Sequence, residues 1–172
     1  MKKLLVLTAV LLLSVAPAMA GTYVKGTAGY FSPTESELDG SYALYLAGGA
    51  NVVGPVSAEL GIGYTAPDAS DADVSIMPVT LTALCELPLG LSNVAFNVGA
   101  GVGMYMWDVD YNGGSEDGSD FGYHVQAGAD FKLNDQVALI GEVKWAKVDL
   151  GMDGGDVDGG GTSFNIGAKY NF

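Results

Sequence analysis

The chain has 172 residues and a formal net charge of −13, yet 49% of its residues are hydrophobic. This excess of acids excludes a nucleic-acid-binding protein, because contacts to phosphates need Lys and Arg. The single cysteine, Cys85, excludes an internal disulfide, and we expect it to serve as a small apolar side chain.

The first 20 residues have the pattern of a secretory signal peptide. Lys2 and Lys3 precede an apolar run over residues 4–15, and Ala18-Met19-Ala20 supplies the small residues of a cleavage site. A membrane anchor is the alternative, but the run is short for a spanning helix. We therefore predict a signal peptide over residues 1–20 and a single domain over residues 21–172, which keeps five lysines, no arginine and all 20 acids.

Eight segments of this domain alternate apolar residues with polar or small ones, which predicts half-buried β-strands. The third segment, VSAELGIGYT, has the cleanest alternation, and in the last one every second residue from Phe164 to Phe172 is apolar. The predicted strands cover residues 23–31, 42–52, 56–65, 74–87, 94–106, 121–131, 137–146 and 163–172.

Residues 87–107 carry no charge and have the hydropathy of a membrane helix. Four glycines and Pro88 argue against that alternative, because Gly and Pro weaken helices. The alternation of apolar and small residues continues through the stretch, so we interpret it as strand.

The connections between the predicted strands are alternately long and short. The long ones, predicted as loops, carry 15 acids and no lysine: residues 32–40, 67–73, 108–120 and 149–161. The short ones cover residues 53–55, 88–93 and 132–136. Short turns at one end and long loops at the other are typical of antiparallel barrels in outer membranes. The sequence therefore predicts an all-β, eight-stranded antiparallel up-and-down transmembrane β-barrel.

The two faces of the predicted strands indicate which side meets lipid. The apolar face carries aromatic residues near both strand ends, as expected at the two membrane interfaces. The opposite face carries too many charges for a dry core, so we predict that it lines the lumen and that its charges pair with one another. The predicted lumen charges are Lys25, Glu59, Glu86, Asp130, Glu142, Lys144 and Lys169.

Six motifs carry a resemblance to a known class of proteins: AMA-G at the cleavage site, AELGIGY at 58–64, VGAGVGMY at 98–105, FGYHVQAGADF at 121–131, GEVKW at 141–145 and the terminal NIGAKYNF. With them, the whole mature chain resembles the small eight-stranded outer-membrane β-barrels, the class of outer membrane protein X and the opacity proteins. The resemblance implies a Gram-negative type outer membrane. It also implies that Tyr170 and Phe172 form the signal that the barrel-assembly machinery reads. The absence of Arg departs from the usual pattern and removes Arg–carboxylate pairs from the lumen.

Function is less narrowly defined, because one scaffold of this class serves many roles. The resemblance implies a structural or surface-interaction (adhesion-like) role, with the long acidic loops as the interacting part. A narrow channel for small solutes is the alternative, and a lipid-modifying enzyme is a further one. His124, with Glu142 or Asp130 to orient it, has the chemistry of a general base. Outer-membrane lipid A deacylases have a Ser two residues after the His, where this chain has Gln126, so we predict no catalytic residue.

Outer-membrane lipid and the barrel-assembly machinery are the expected partners, and the chain is expected to be a monomer without a cofactor. The acidic loops are also candidates for loosely bound divalent cations such as Ca²⁺ or Mg²⁺. Asp153, Asp156 and Asp158 are nearest to a set of metal ligands, although the EF-hand pattern is missing. A solvated acidic loop is the alternative interpretation.

Overall fold

The computed structural model describes residues 21–35, 39–69, 72–90, 92–111, 113–152 and 155–172. The predicted signal peptide, residues 1–20, lies outside these ranges. None of the helices in the described part of the chain is long and apolar enough to cross a membrane. The described residues form ten β-strands: β1 Thr22–Pro33, β2 Ser41–Val53, β3 Val56–Thr65, β4 Asp68–Ala69, β5 Ala72–Leu87, β6 Val94–Tyr111, β7 Gly114–Lys132, β8 Val137–Met152, β9 Gly155–Asp158 and β10 Gly161–Asn171.

Eight of these strands close into one antiparallel barrel. Each strand pairs with the next, β10 pairs with β8, and β1 pairs with β10 from Tyr23↔Asn171 to Pro33↔Gly161. The two short strands extend the rim, since β4 pairs with β5 and β9 pairs with β8. The predicted eight-stranded up-and-down barrel is therefore confirmed. Closure leaves no free sheet edge within the hydrocarbon layer, as a membrane-spanning sheet requires.

Alternation along each strand sends apolar side chains outward and polar ones inward. The outward side chains of Ile166 and Phe121 are 74% and 71% exposed, whereas the inward side chains of Lys25, Glu59 and Glu142 are buried. Exposed aromatic residues lie near both ends of the outward face, where they match the two membrane interfaces. They are Tyr30, Tyr42, Phe121, Tyr123, Trp145 and Phe164 at one end, and Phe131, Tyr170 and Phe172 at the other.

Three of the four predicted acidic loops are largely strands, so these predictions were wrong. Strands β6 and β7 pair as far as Tyr111↔Gly114, so residues 108–111 and 114–120 of the predicted loop are strand. Gly113 has φ +134°, a conformation that residues with a Cβ rarely adopt. Residues 149–161 likewise contain the end of β8, all of β9 and the start of β10, and residues 67–73 contain β4 and the start of β5. The fourth predicted loop remains a connection, between Pro33 and Ser41.

Strand residues beyond the first of the two aromatic sets, which we call the outer aromatic residues, form an extension in which the polarity of the two faces is reversed. We define the extension as residues 72–76, 107–111, 114–120, 147–152 and 155–158. Inward residues such as Val74, Trp107 and Leu150 are buried and apolar, whereas Asp73 and Asp110 are exposed on the outward face. The reason is the solvent: above the bilayer the outside is water, so acids face outward and apolar residues fill the interior.

Candidate functional site

The centre of the lumen contains a buried charge network. The Lys25 Nζ lies 2.7 Å from Glu142 Oε2 and 3.0 Å from Glu59 Oε2, and the Lys144 Nζ lies 3.8 Å from Glu142 Oε1. Lys25 is on β1, Glu59 on β3 and Glu142 on β8, so one ammonium group ties three strands that are not neighbours. Burial of these charges is tolerable only because each has a partner of opposite sign.

A second ion pair lies closer to the end of the barrel that has the short turns, which is the periplasmic end in barrels of this type. Lys169 pairs with Asp130, and its Nζ lies 4.6 Å from the centre of the Tyr23 ring. The Tyr23 hydroxyl donates a hydrogen bond of 3.1 Å to Glu59, which connects this pair to the central network. Six of the seven predicted lumen charges are thus brought together. Glu86 is not: it is exposed at the periplasmic mouth and makes no ion pair with any residue that the structure describes.

The periplasmic mouth opens into a cavity of about 340 Å³. Its lining is mostly polar and includes Glu86, Asp130 and Lys169. The cavity narrows toward the central network, where a space of only about 20 Å³ remains between Lys25, Glu59 and Asp130. Such a space has room for a water molecule but not for a solute.

The outer end of the lumen is filled by apolar side chains, which we call the apolar cap. The cap is formed by Val74, Ile76, Tyr105, Trp107, Val109, Val148 and Leu150, with Ala146 packed against it. The indole Nε1 of Trp107 donates a hydrogen bond of 2.7 Å to Asp120 Oδ2, and the same oxygen accepts one of 3.1 Å from the Gly151 N–H. Asp120 thereby joins β6, β7 and β8, and the cap closes the lumen below the tip of the extension.

His124 lies inside this closed lumen with 1% of its surface exposed. Its Nε2 is 2.8 Å from Thr82 Oγ1, and its Nδ1 has no hydrogen-bond partner among the described residues. Gln126, at the position where a deacylase has its Ser, donates a hydrogen bond of 3.1 Å to Glu142. The ring faces away from the lipid and lies beneath the apolar cap, so this geometry gives an acyl substrate no route to it.

The outward face of the extension carries acids opposite acids, and we call it the acidic face. Asp73 is opposite Asp110, Asp108 opposite Asp117 and Asp149 opposite Asp158. Like charges placed directly across two strands repel each other. Between Asp149 and Asp158 a cation relieves this repulsion, because the Lys147 Nζ lies 2.8 Å and 2.7 Å from their carboxylates.

Hydrogen bonds to Asp149 and Asp158 raise the pKa of the Lys147 ammonium group above its ordinary value. The predicted seventh strand ends at residue 146, whereas β8 continues to Met152 and includes Lys147. Lys147 stands shortly before the four acids of residues 149–158, and this closeness in sequence was the signal that could have identified it as their partner.

The weak metal candidates lie at the same hairpin. Asp153 and the side chain of Asp156 lie outside the part that the structure describes, whereas the Asp158 carboxylate accepts hydrogen bonds from Lys147 and from the Gly160 N–H, at 2.7 Å and 2.9 Å. Within the described ranges, no three His, Cys, Asp or Glu side chains form a group that could hold a metal. Cation binding by the three aspartates stays a prediction.

The terminal residues lie on the lipid face at the periplasmic end of β10. The rings of Tyr170 and Phe172 are 5.1 Å apart and meet edge to face, and the Phe172 N–H donates to the Thr22 carbonyl across the closing seam. The Tyr170 hydroxyl accepts a hydrogen bond of 3.0 Å from Gln136. Recognition of these two residues by the assembly machinery stays a prediction.

A closed barrel with a charged lumen and an apolar outer wall defines the class of small outer-membrane β-barrels. A family model described as outer membrane protein beta-barrel domain matches residues 5–172. The chain therefore belongs to this family, and its place is the outer membrane. No curated protein matches the chain in sequence.

Three of the solved structures with the same fold are eight-stranded outer-membrane β-barrels. Neisserial surface protein A superposes with a TM-score of 0.78 at 15% identity, over 89% of this chain and 98% of that one. OprG from Pseudomonas aeruginosa gives 0.72 at 18% identity, over 89% and 96%. Ail, the attachment invasion locus protein of Yersinia pestis, gives 0.62 at 18% identity, over 90% and 100%. At such identities the similarity shows the fold alone.

Proposed function

We propose that this protein is a non-conducting surface protein of the outer membrane, whose acidic face binds cationic groups of an extracellular partner. The observation that carries this proposal is the register of the extension, in which acids on neighbouring strands lie directly opposite each other above the membrane. The opposed pair of Asp73 and Asp110 raises the energy of the free protein, because like charges lie directly across two strands. A partner that places an ammonium or guanidinium group between two such carboxylates relieves that repulsion and gains affinity.

Two features of the extension support a binding role. The apolar cap fixes the strands from inside, so the acids are presented on a preordered surface and little conformational entropy is lost on binding. Lys147 supplies an internal example, because its single ammonium group bridges Asp149 and Asp158. A lysine or arginine of a partner would occupy the equivalent position between Asp73 and Asp110.

The relatives support the class of function but not the ligand. Two of them are a neisserial surface protein and an attachment invasion locus protein, and the latter, Ail, was solved with the heparin analogue sucrose octasulfate. That ligand is a polyanion, and the negative charges on the acidic face of this chain would repel it. A basic partner is therefore the class that we propose.

The first prediction concerns a cationic probe. A short oligolysine peptide should bind the barrel in zwitterionic nanodiscs, and binding should weaken as salt screens the charges. Asp73→Asn combined with Asp110→Asn should weaken binding by about threefold to tenfold, since rim charges contribute modestly to affinity. Fluorescence anisotropy of the labelled peptide measures this effect.

A matched control removes two acids from the periplasmic mouth, Glu86→Gln with Asp135→Asn. Both double variants lose the same net charge, and both should show heat-modifiable migration on SDS gels as folded barrels do. An equal loss of affinity in the two variants would show that binding depends on net charge and not on the acidic face, which would contradict the proposal. Absence of binding by the unmodified protein at low salt would contradict the proposal.

A channel is the second candidate, and the cavity at the periplasmic mouth is the observation in its favour. The central network and the apolar cap oppose it, because side chains fill an eight-stranded lumen.

We expect no discrete current steps when the purified barrel is inserted into planar bilayers. Steps that appear with folded protein, and not with the same preparation after heat denaturation, would favour the channel instead.

A further inference from the structure

The lipid-facing wall of the barrel contains an apolar groove along β1. It has a volume of about 570 Å³. Gly26 and Ala28 form its floor, Leu46 and Leu44 lie opposite them on β2, and Ile166 lies opposite Ala28 on β10. The floor is low because these β1 residues are small, whereas the neighbouring side chains project outward.

The height of the groove places it in the hydrocarbon layer. Below it, Val24 pairs with Tyr170 of the periplasmic aromatic residues, and above it Tyr30 pairs with Tyr42 of the outer ones. The groove therefore lies between the two levels at which aromatic side chains meet headgroups.

The upper part of the groove reaches an interruption in the sheet. The ladder between β3 and β5 stops at Ile62↔Val79 and resumes at Thr65↔Ile76. Pro78 lies in this gap and has no N–H to donate, which accounts for the local break. Tyr64 and Met77, beside the break, line the groove.

We propose that this groove seats one acyl chain of an outer-membrane lipid. The lining is apolar, opens directly onto the bilayer and is continuous with the lipid-facing surface on both sides. Within a membrane, apolar groups associate through close packing rather than through exclusion of water. A chain lying on Gly26 and Ala28 gains dispersion contacts with the floor and both walls at once, which the flat parts of the wall do not offer. The convex wall of a second barrel has bulky side chains and fits this concavity less well.

The test uses the barrel in vesicles of phosphatidylethanolamine that contain a trace of the same lipid with a diazirine on its acyl chain. After illumination, peptide mapping should find label concentrated on the segments that carry Leu44, Met77 and Ile166. Gly26→Leu should lower labelling of these segments by about fivefold, because its side chain occupies the position of the acyl chain. A Cβ at Gly26 meets no atom within 4 Å, so the change fills the groove without straining the barrel.

Ala100→Leu is the matched control, since Ala100 is also a small residue exposed on the lipid-facing wall, but it lies on β6 and is not part of the groove. It should leave the labelling of the groove segments unchanged. Label spread evenly around the barrel, or an equal fall in both variants, would overturn the proposal. In a parallel sample treated with a bifunctional protein crosslinker, a dimer that disappears in Gly26→Leu would also overturn the proposal, because the occupant would then be a second copy. Heat-modifiable migration confirms that each variant is folded.

Discussion

Lys25→Met should destabilise the folded barrel by about 3–5 kcal/mol, the cost expected when one partner of a buried ion pair is removed. The substitution leaves Glu59 without its ammonium partner and leaves Glu142 with only Lys144, at 3.8 Å. It also removes the ion pairs that connect β1 to β3 and to β8 at the centre of the lumen. Urea unfolding of the barrel in lipid vesicles, followed by tryptophan fluorescence, gives the change in the unfolding midpoint.

Lys132→Met is the control, because Lys132 is exposed at the end of β7. It removes the same charge, and its midpoint should stay close to that of the unmodified protein. A second comparison adds Glu59→Gln to Lys25→Met, which should recover part of the lost stability by removing the carboxylate left unpaired. Equal midpoints for Lys25→Met and Lys132→Met would show that the central network contributes nothing.

Trp107→Ala should open the extension while leaving the barrel in the membrane closed. The indole is 2% exposed within the apolar cap, and truncation of a buried Trp typically costs about 3–5 kcal/mol. It also removes the hydrogen bond to Asp120 that joins β6 to β7. We expect proteinase K to cut the variant within residues 107–120 and to spare the unmodified protein, with mass spectrometry to locate the cuts.

Trp145→Ala provides the comparison, because Trp145 lies on the lipid face and packs against Tyr123 rather than within the cap. Its extension should resist the protease. Both variants should keep heat-modifiable migration, since neither substitution changes the backbone pairing of the strands within the bilayer. Resistance of Trp107→Ala equal to that of Trp145→Ala would mean that the cap does not hold the extension together.

The barrel itself could be predicted from the sequence because one periodicity governs it. Between the two sets of aromatic residues, lipid lies outside and charges lie inside, so each strand repeats the same alternation. The turns at 53–55, 88–93 and 132–136 match the observed connections within a residue or two. Closure followed from the architecture, because the first and last strands of a barrel have to pair.

The extension was missed because the same alternation continues there with the opposite polarity. Trp107, Val109, Val148 and Leu150 alternate with acids, as in a strand of a water-soluble protein, but Gly and Asp nearby favoured loops. A strand that leaves the bilayer keeps its period of two and exchanges the environments of its two faces. That exchange of polarity between the two faces was the signal in the sequence for the strands of the extension.

For the lumen charges, the sequence predicts which residues face the lumen but not which residue pairs with which. The inward side of each residue follows from its strand, but the partner depends on the tilt and diameter of the barrel, which sequence spacing does not give. Lys25 therefore bonds to Glu59 and Glu142 across the lumen, while Glu86 lies too near the mouth to reach the network. The groove at Gly26 was missed for a related reason, since it depends on small residues of β1 lying beside large ones on two other strands.

The outward side chains change from apolar to polar between Met77 and Ser75 on β5, and between Met106 and Asp108 on β6. This boundary fixes how deeply the barrel lies in the membrane. A strand rises about 3.3 Å per residue and is tilted by about 35–45° in such a barrel, so sinking by two residues moves Asp108 about 5 Å toward the hydrocarbon layer. Rising by the same distance lifts apolar side chains into water. The barrel therefore cannot adapt to a membrane of another thickness by sliding, and the surrounding lipids must stretch or compress instead. Each copy then carries its own ring of deformed bilayer, which gives neighbouring proteins of matching height a reason to gather beside it.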